Sequence, residues 1–291
     1  MSIDIVLQVL VGGVLLGGLY ALVAFGLSLI YGVVRILNFA HGTILAVTGV
    51  VASLIFARWQ ISPVLIFVLL VPSVFLLGAI FYRGLLYPLE RRQPLEATIG
   101  TVLVTVGALL ILSDVTAVLA GPTQRNILLR SPVVELGNIV ISVTQLAILA
   151  AIVVMTLVIH AALKATWFGL AVRAVTQEPV AAELCGARSL QVKTLTFGVG
   201  SATVAIAAVL YVLTFPVDPY MGFGLTVKAF TIIVVGGIGN LPGALIVGVL
   251  LGVAEGLVGL FWGPEWSPAI SVILLLLILV VFPAGIRWRR G

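Results

Sequence analysis

Apolar residues in this chain run on rather than alternate with polar ones. Long apolar runs such as Leu146–Leu163 and Ile270–Val281 are separated by short polar breaks, a pattern unlike the brief alternating segments of a membrane β-barrel. A helix needs roughly 20 apolar residues to cross about 30 Å of hydrocarbon. By that measure spans are expected at about 5–33, 38–57, 62–82, 97–119, 138–163, 193–215, 243–262 and 268–286. The fold class expected is all-α: a polytopic integral membrane protein of about 8 transmembrane helices, with residues 1–291 forming one transmembrane domain. A further apolar piece at 226–236 would rise only about 16 Å as a helix. It ends in Gly236-Gly237-Ile238-Gly239-Asn240-Leu241-Pro242-Gly243, a strong helix breaker. Residues 226–243 are therefore read as a broken or re-entrant segment, tolerated at membrane depth only when buried in protein or lining a wet cavity.

Composition agrees with the pattern. Apolar residues make up 62% of the chain and charged ones 9%, against about a quarter charged in ordinary soluble domains. With a mean hydropathy of +1.32, too few polar side chains remain to clothe a water-exposed surface. A soluble enzyme, a disordered chain and a nucleic-acid binder are thereby excluded. The single cysteine, Cys185, cannot form an internal disulfide. The start, Met1-Ser2-Ile3-Asp4, lacks a basic region, so the first apolar run is expected to stay as a membrane helix.

Basic residues orient the spans. With the N-terminus outside, Arg35, Arg83, Arg91, Arg92, Lys164, Arg173, Arg188, Lys193, Arg287, Arg289 and Arg290 face the cytoplasm. Arg58, Arg125, Arg130 and Lys228 are left outside, and eleven against four is the bias the positive-inside rule describes. Keeping that count requires residues 226–262 to begin and end on the outer side, which is what a re-entrant reading supplies. The C-terminus is then cytoplasmic.

Several residues ask for a reason. The inner loop 164–192 is the largest polar stretch, and Gln177 to Gly186 within it reads as a turn, a short helix opened by Pro179 and a glycine stop. That helix is either a docking element or a solvated connector. Gly248, Gly252 and Gly256 in the seventh span, and Gly13 and Gly17 in the first, form stripes along which helices can approach closely. Intramolecular packing is the reading preferred over a subunit interface. Glu255 lies in the middle of an apolar span, where a charge is costly and must be paired or neutralised. It is either a path or gating residue or a polar clamp, and direct pairing with Lys228 is not expected on grounds of depth. Asn38 is placed to cap the second span, with His41 in its first turn near the cytoplasmic interface. With His41 and His160 the only histidines, a metal site is not expected. Candidates for the translocation path or its gate are thus Asn38, His41, Lys228, Gly236, Gly237, Gly239 and Glu255. No phosphate-binding Gly-x-x-x-x-Gly-Lys-[Ser/Thr] string occurs, and no catalytic group of serine, histidine and carboxylate converges in a loop, so the chain is not expected to be an enzyme.

Three blocks together resemble bacterial branched-chain amino-acid ABC importer permeases. The first is Gly17-Gly18-Leu19-Tyr20-Ala21-Leu22 with Gly26-Leu27-Ser28-Leu29-Ile30-Tyr31-Gly32 and Asn38-Phe39-Ala40-His41-Gly42. The second is Arg173-Ala174-Val175-Thr176-Gln177 with Ala181, Ala182 and Gly186. The third is Lys228-Ala229-Phe230, the run Gly236 to Ala244, Gly252 and Glu255. The resemblance implies the first permease of a pair, in a bacterial inner membrane. Its partners would be a second homologous permease (or a second copy), two cytoplasmic ATPases and an extracytoplasmic substrate-binding protein. It further implies that Arg173, Gln177, Ala181, Ala182 and Gly186 belong to a loop coupling to the ATPases. ATP and magnesium would sit in those partners, with no cofactor on this chain. Branched-chain or related amino acids are the implied cargo. A related permease for urea or short amides is an alternative, and an ion-coupled secondary transporter a remoter one.

Overall fold

The computed structural model describes residues 3–129, 131–136 and 139–281. In chain order the helices are α1 (Ile3–Val34), α2 (His41–Trp59), α3 (Pro63–Phe81), α4 (Tyr87–Glu90), α5 (Pro94–Ala120), α6 (Val143–Ala165), α7 (Trp167–Gln177), α8 (Pro179–Leu184), α9 (Ser189–Val212), α10 (Gly222–Gly236), α11 (Leu241–Phe261) and α12 (Ser267–Val281). A π-helical turn, Tyr82–Leu86, joins α3 to α4 without a break. Seven of these rods are long and apolar enough to cross a membrane: α1, α2, α3 with its continuation to Glu90, α5, α6, α9 and α11. The expected span 62–82 is therefore extended, while the last, 268–286, is described only to Val281.

The bundle is built around α1. Every residue from Gly17 to Ile30 is buried, as befits a helix that is apolar all round. Helices α9, α10 and α11 pack on it. At one end lies a small antiparallel hairpin, β1 (Val133–Leu136) with β2 (Ile139–Ser142). It occupies the start of the span expected at 138–163, so α6 begins later, at Val143, where Ser142 and Gln145 form a capping box. Gln8 of α1 seals the hairpin by pairing both the N–H and the C=O of Val140 (3.2 and 2.8 Å). The other end carries α7 and α8. A second buried cluster there joins Val33 and Val34 of α1 to Val172, Val175, Ala182 and Val192.

Two segments fold back into the bundle. The first follows α1, which stops where Arg35 takes a left-handed conformation (φ 59°). The His41 imidazole then meets the carbonyl of Val23, eleven residues before the end of α1, or about 16 Å back along its axis. Residues 35–40 must therefore double back beside α1, and α2 begins deep in the bundle rather than at an interface. The second is α10. Its 15 residues rise about 22 Å, short of a full crossing. It starts at Gly222, four residues earlier than the apolar pattern suggests. Gly237 and Gly239, at φ 91° and 77°, turn the chain into α11.

Candidate functional site

Glu255 is not alone in the apolar interior. Its carboxylate is 3% exposed and receives three donors. Lys228 of α10 donates to Oε2 at 2.8 Å, Tyr20 of α1 to the same oxygen at 3.0 Å, and Ser271 of α12 to Oε1 at 2.7 Å. Lys228 also donates to the Tyr20 hydroxyl at 2.8 Å, with its ammonium 4.6 Å from the ring centroid. Four helices thus converge on one neutralised pair. The expectation that depth would keep Lys228 from Glu255 is overturned. Lys228 lies near the middle of α10 because that helix starts at Gly222, so its long side chain reaches the pair from within the bundle. It is not an outer-loop cation. Ser267 of α12 adds a bond to the Glu255 main-chain carbonyl (3.0 Å).

The backbones come close enough for this because glycines face one another. A Cβ on Gly17 would lie 2.5 Å from the Gly248 oxygen, and one on Gly13 would lie 2.8 Å from Val253 Cα. Gly252 abuts Gly13 and Gly17 in the same way, and Gly256 faces Val9. The stripes of α1 and α11 are therefore mutual partners. Gly236 packs on Gly243 across the turn, and Asn240 caps α11 through the Gly243 N–H (3.3 Å) while donating to the Gly236 carbonyl (3.0 Å). Gly239 N–H donates to Ser28 of α1 (2.7 Å), which pins this turn to the central helix.

The segment before α2 docks beside α10. Asn38 does not cap α2: its Oδ1 accepts from Ala40 N–H (3.1 Å) within a local turn, because the helix begins only at His41. His41 is fully buried, and since a carbonyl only accepts, Nε2 carries a proton toward Val23. Among the described residues His41 Nδ1 and Asn38 Nδ2 make no hydrogen bond. The Thr226 hydroxyl of α10 accepts from Gly42 N–H (2.8 Å) and reaches the Phe39 and Gly222 carbonyls (3.0 and 3.1 Å). Near the hairpin end Tyr220, between α9 and α10, donates to Asp114 (3.3 Å). Partial desolvation, and then that carboxylate, hold its phenol above the usual range.

The loop candidates lie apart from this cluster, at the α7–α8 end. The short helix expected after Pro179 is α8, and Gly186 follows it at φ 88°. Helix α7 was hidden in the polar stretch. Gly169, Val172 and Val175 form its buried face, while Trp167 and Leu170 stay exposed. Arg173 donates to the Leu163 carbonyl, and Gln177 ends α7. Ala181 is exposed whereas Ala182 is buried against the bundle. Val180 and Leu184, four apart on α8, are 65% and 85% exposed. These two, with Tyr20, Ser271 and Thr226, are the site residues that spacing alone did not single out. Lone polar groups in apolar runs are the signal that would have found Tyr20 and Ser271.

Comparison with known proteins agrees with this architecture. A family model described as branched-chain amino acid transport system / permease component matches residues 9–281. The chain is 33% identical to the high-affinity branched-chain amino acid transport system permease protein LivH of Salmonella typhimurium, covering 97% of this chain and 96% of that one. It is 32% identical to LivH of Escherichia coli strain K12 over the same shares. The corresponding permease protein BraD of Pseudomonas aeruginosa is 31% identical, again over 97% and 96%. No solved structure matches the chain.

Proposed function

The chain belongs to the branched-chain amino-acid transport permease family, and from that premise we propose that it is a membrane subunit of an ATP-driven importer of branched-chain amino acids. It performs no catalysis itself. ATP and magnesium are handled by two ATPase subunits on the cytoplasmic side, a second permease completes the path, and a binding protein delivers the amino acid from outside. The N-terminus and the β1–β2 hairpin face outward, and α7, α8 and the C-terminus face the cytoplasm of a bacterial inner membrane.

One observation supports the reading beyond family membership: α8 presents an exposed apolar face. Val180 and Leu184 stand on one side of a six-residue helix whose other side, through Ala182, is anchored in the bundle. A large apolar side chain left 85% exposed on a short helix within the largest polar stretch of the chain is what a docking helix offers a partner. Ala181 lies on the same short helix, and Arg173, Gln177 and Gly186 flank it along the chain. When the ATPases close, the docked α8 moves and the path opens by alternation between the two sides. The Lys228–Glu255 pair is satisfied internally, which suits a clamp rather than an ion-coupling group.

Ala182 is the wrong place to test docking, since a bulky charge there would disrupt the buried cluster. Leu184→Glu is the better variant. Vesicles holding the full complex should take up radiolabelled leucine only when ATP is supplied. With Leu184→Glu the ATPases should no longer co-purify, while membrane insertion stays intact. Uptake driven by an ion gradient without any ATPase would refute the reading.

A further inference from the structure

A second group of titratable side chains gathers at the α7–α8 end, away from the Lys228–Glu255 pair. Tyr82 opens the π-helical turn and is fully buried. Its ring stacks on Phe197 of α9 (centroids 5.6 Å apart), and its hydroxyl donates to Glu90 at 2.8 Å. Glu90 closes α4 and pairs at 3.2 Å with Lys193, in the first turns of α9. Both charged side chains are about one-fifth exposed. The pair ties α4 to α9 through one mostly buried carboxylate, and its surroundings decide where a movement of that tie is felt.

Two features of its surroundings point to where. The π turn holds the bond from Tyr87 N–H to the Tyr82 carbonyl, one residue longer than an α-helical bond. Such turns are rare inside helices and recur at functional sites. The turn is also linked to α8 through α9, on which both pack. Ala182 of α8, Val192 and Phe197 of α9, and Tyr82 and Leu86 share one buried cluster. Only Cys185–Arg188 separate α8 from α9, and Ala187 N–H to Ala182 O (2.9 Å) with Gly186 N–H to Glu183 O (2.9 Å) pull that link tight. A displacement of α8 therefore reaches Lys193 through a stiff, packed connection. Beyond Glu90 the chain enters α5 at Pro94.

We propose that Tyr82, Glu90 and Lys193 form the joint through which movement of α8 reaches α3 and α5, with the π turn as the element that changes register. They are positioning residues. The inference rests on the importer reading, in which a partner moves α8. Lys193 draws Glu90 along with α9, Tyr82 holds the π turn to the same carboxylate, and helices on either side of Glu90 move together.

The test reads coupling rather than assembly. In vesicles holding the full complex, leucine taken up per ATP hydrolysed is measured for Glu90→Lys, Lys193→Glu and the double exchange. Each single variant should lower that ratio by about fivefold or more, with the ATPases still bound, and the double exchange should recover most of it. Tyr82→Phe, which keeps the ring and loses only the hydroxyl, should lower the ratio as well, and it serves if a reversed charge prevents assembly. An unchanged ratio in Tyr82→Phe and in the single variants, or an assembled double variant no better than the singles, overturns the joint. Failure of the importer reading looks different, because wild-type vesicles would then show no ATP-driven uptake.

Discussion

At the scale of single residues, Glu255 shows what can and cannot be read from spacing. A lone carboxylate in an apolar run announces itself, and the demand that it be paired follows from the cost of burying a charge. Its partner did not announce itself. Lys228 lies twenty-seven residues upstream on a helix whose start the hydropathy pattern places too late, so the pattern does not reveal its depth. Tyr20 and Ser271 come from helices at opposite ends of the chain, and only tertiary packing brings them to the carboxylate. Removing one member of a buried pair leaves the other uncompensated and costs about 3–5 kcal/mol, whereas replacing both with apolar groups can be neutral. Lys228→Met or Glu255→Gln should therefore lower the thermal midpoint in detergent clearly. The double variant Lys228→Met/Glu255→Leu should stand closer to wild type. Equal midpoints for wild type and both single variants would remove the clamp from this account.

Elements tell a different story. The long helices were legible because a 20-residue apolar run has few alternatives in lipid. The break near 226–243, read as a broken or re-entrant segment, was legible too, through a run too short to cross and a glycine-rich turn. Residues 35–40 were not, because their turn-back depends on a left-handed Arg35 and on His41 meeting Val23, neither of which leaves a periodic trace. The β hairpin was missed for the mirror reason: Ile139–Ser142 is apolar enough to read as the first turn of a span. The glycine stripes give this scale its sharpest contrast. A side chain at Gly17 must push into the backbone of α11, whereas at Gly12 a Cβ would meet nothing within 4 Å. Gly17→Val should separate α1 from α11 and sharply reduce the yield of folded protein. Gly12→Ala should be neutral or raise stability by up to about 1 kcal/mol, the difference in helix propensity. Thermal midpoints and detergent-stable yield of the two variants decide the matter.

For the whole molecule, sidedness is the property on which every other assignment depends. The described helices settle relative directions: α1 begins at the hairpin end, where Gln8 meets Val140, and the chain reaches α7 and α8 at the opposite end. Which end faces the cytoplasm is an electrostatic question. The basic residues favour the α7–α8 end, since Arg83, Arg91, Arg92, Lys164, Arg173, Arg188 and Lys193 all lie in or beside the segments gathered there. Arg130, Arg287, Arg289 and Arg290 lie outside the described residues. Moving Lys228 from loop to interior strengthens the bias, because one of the four outer cations drops out of the count. The chain carries its own reporter. Cys185 is the only cysteine, and it is exposed one residue beyond α8. A membrane-impermeant maleimide should thus leave intact cells unlabelled and modify Cys185 in inside-out vesicles. Labelling in intact cells would invert the topology and put α8 beyond the reach of any cytoplasmic ATPase. Adding the ATPases to inside-out vesicles should in turn shield Cys185, because Leu184, the adjacent residue, is part of the face they would cover.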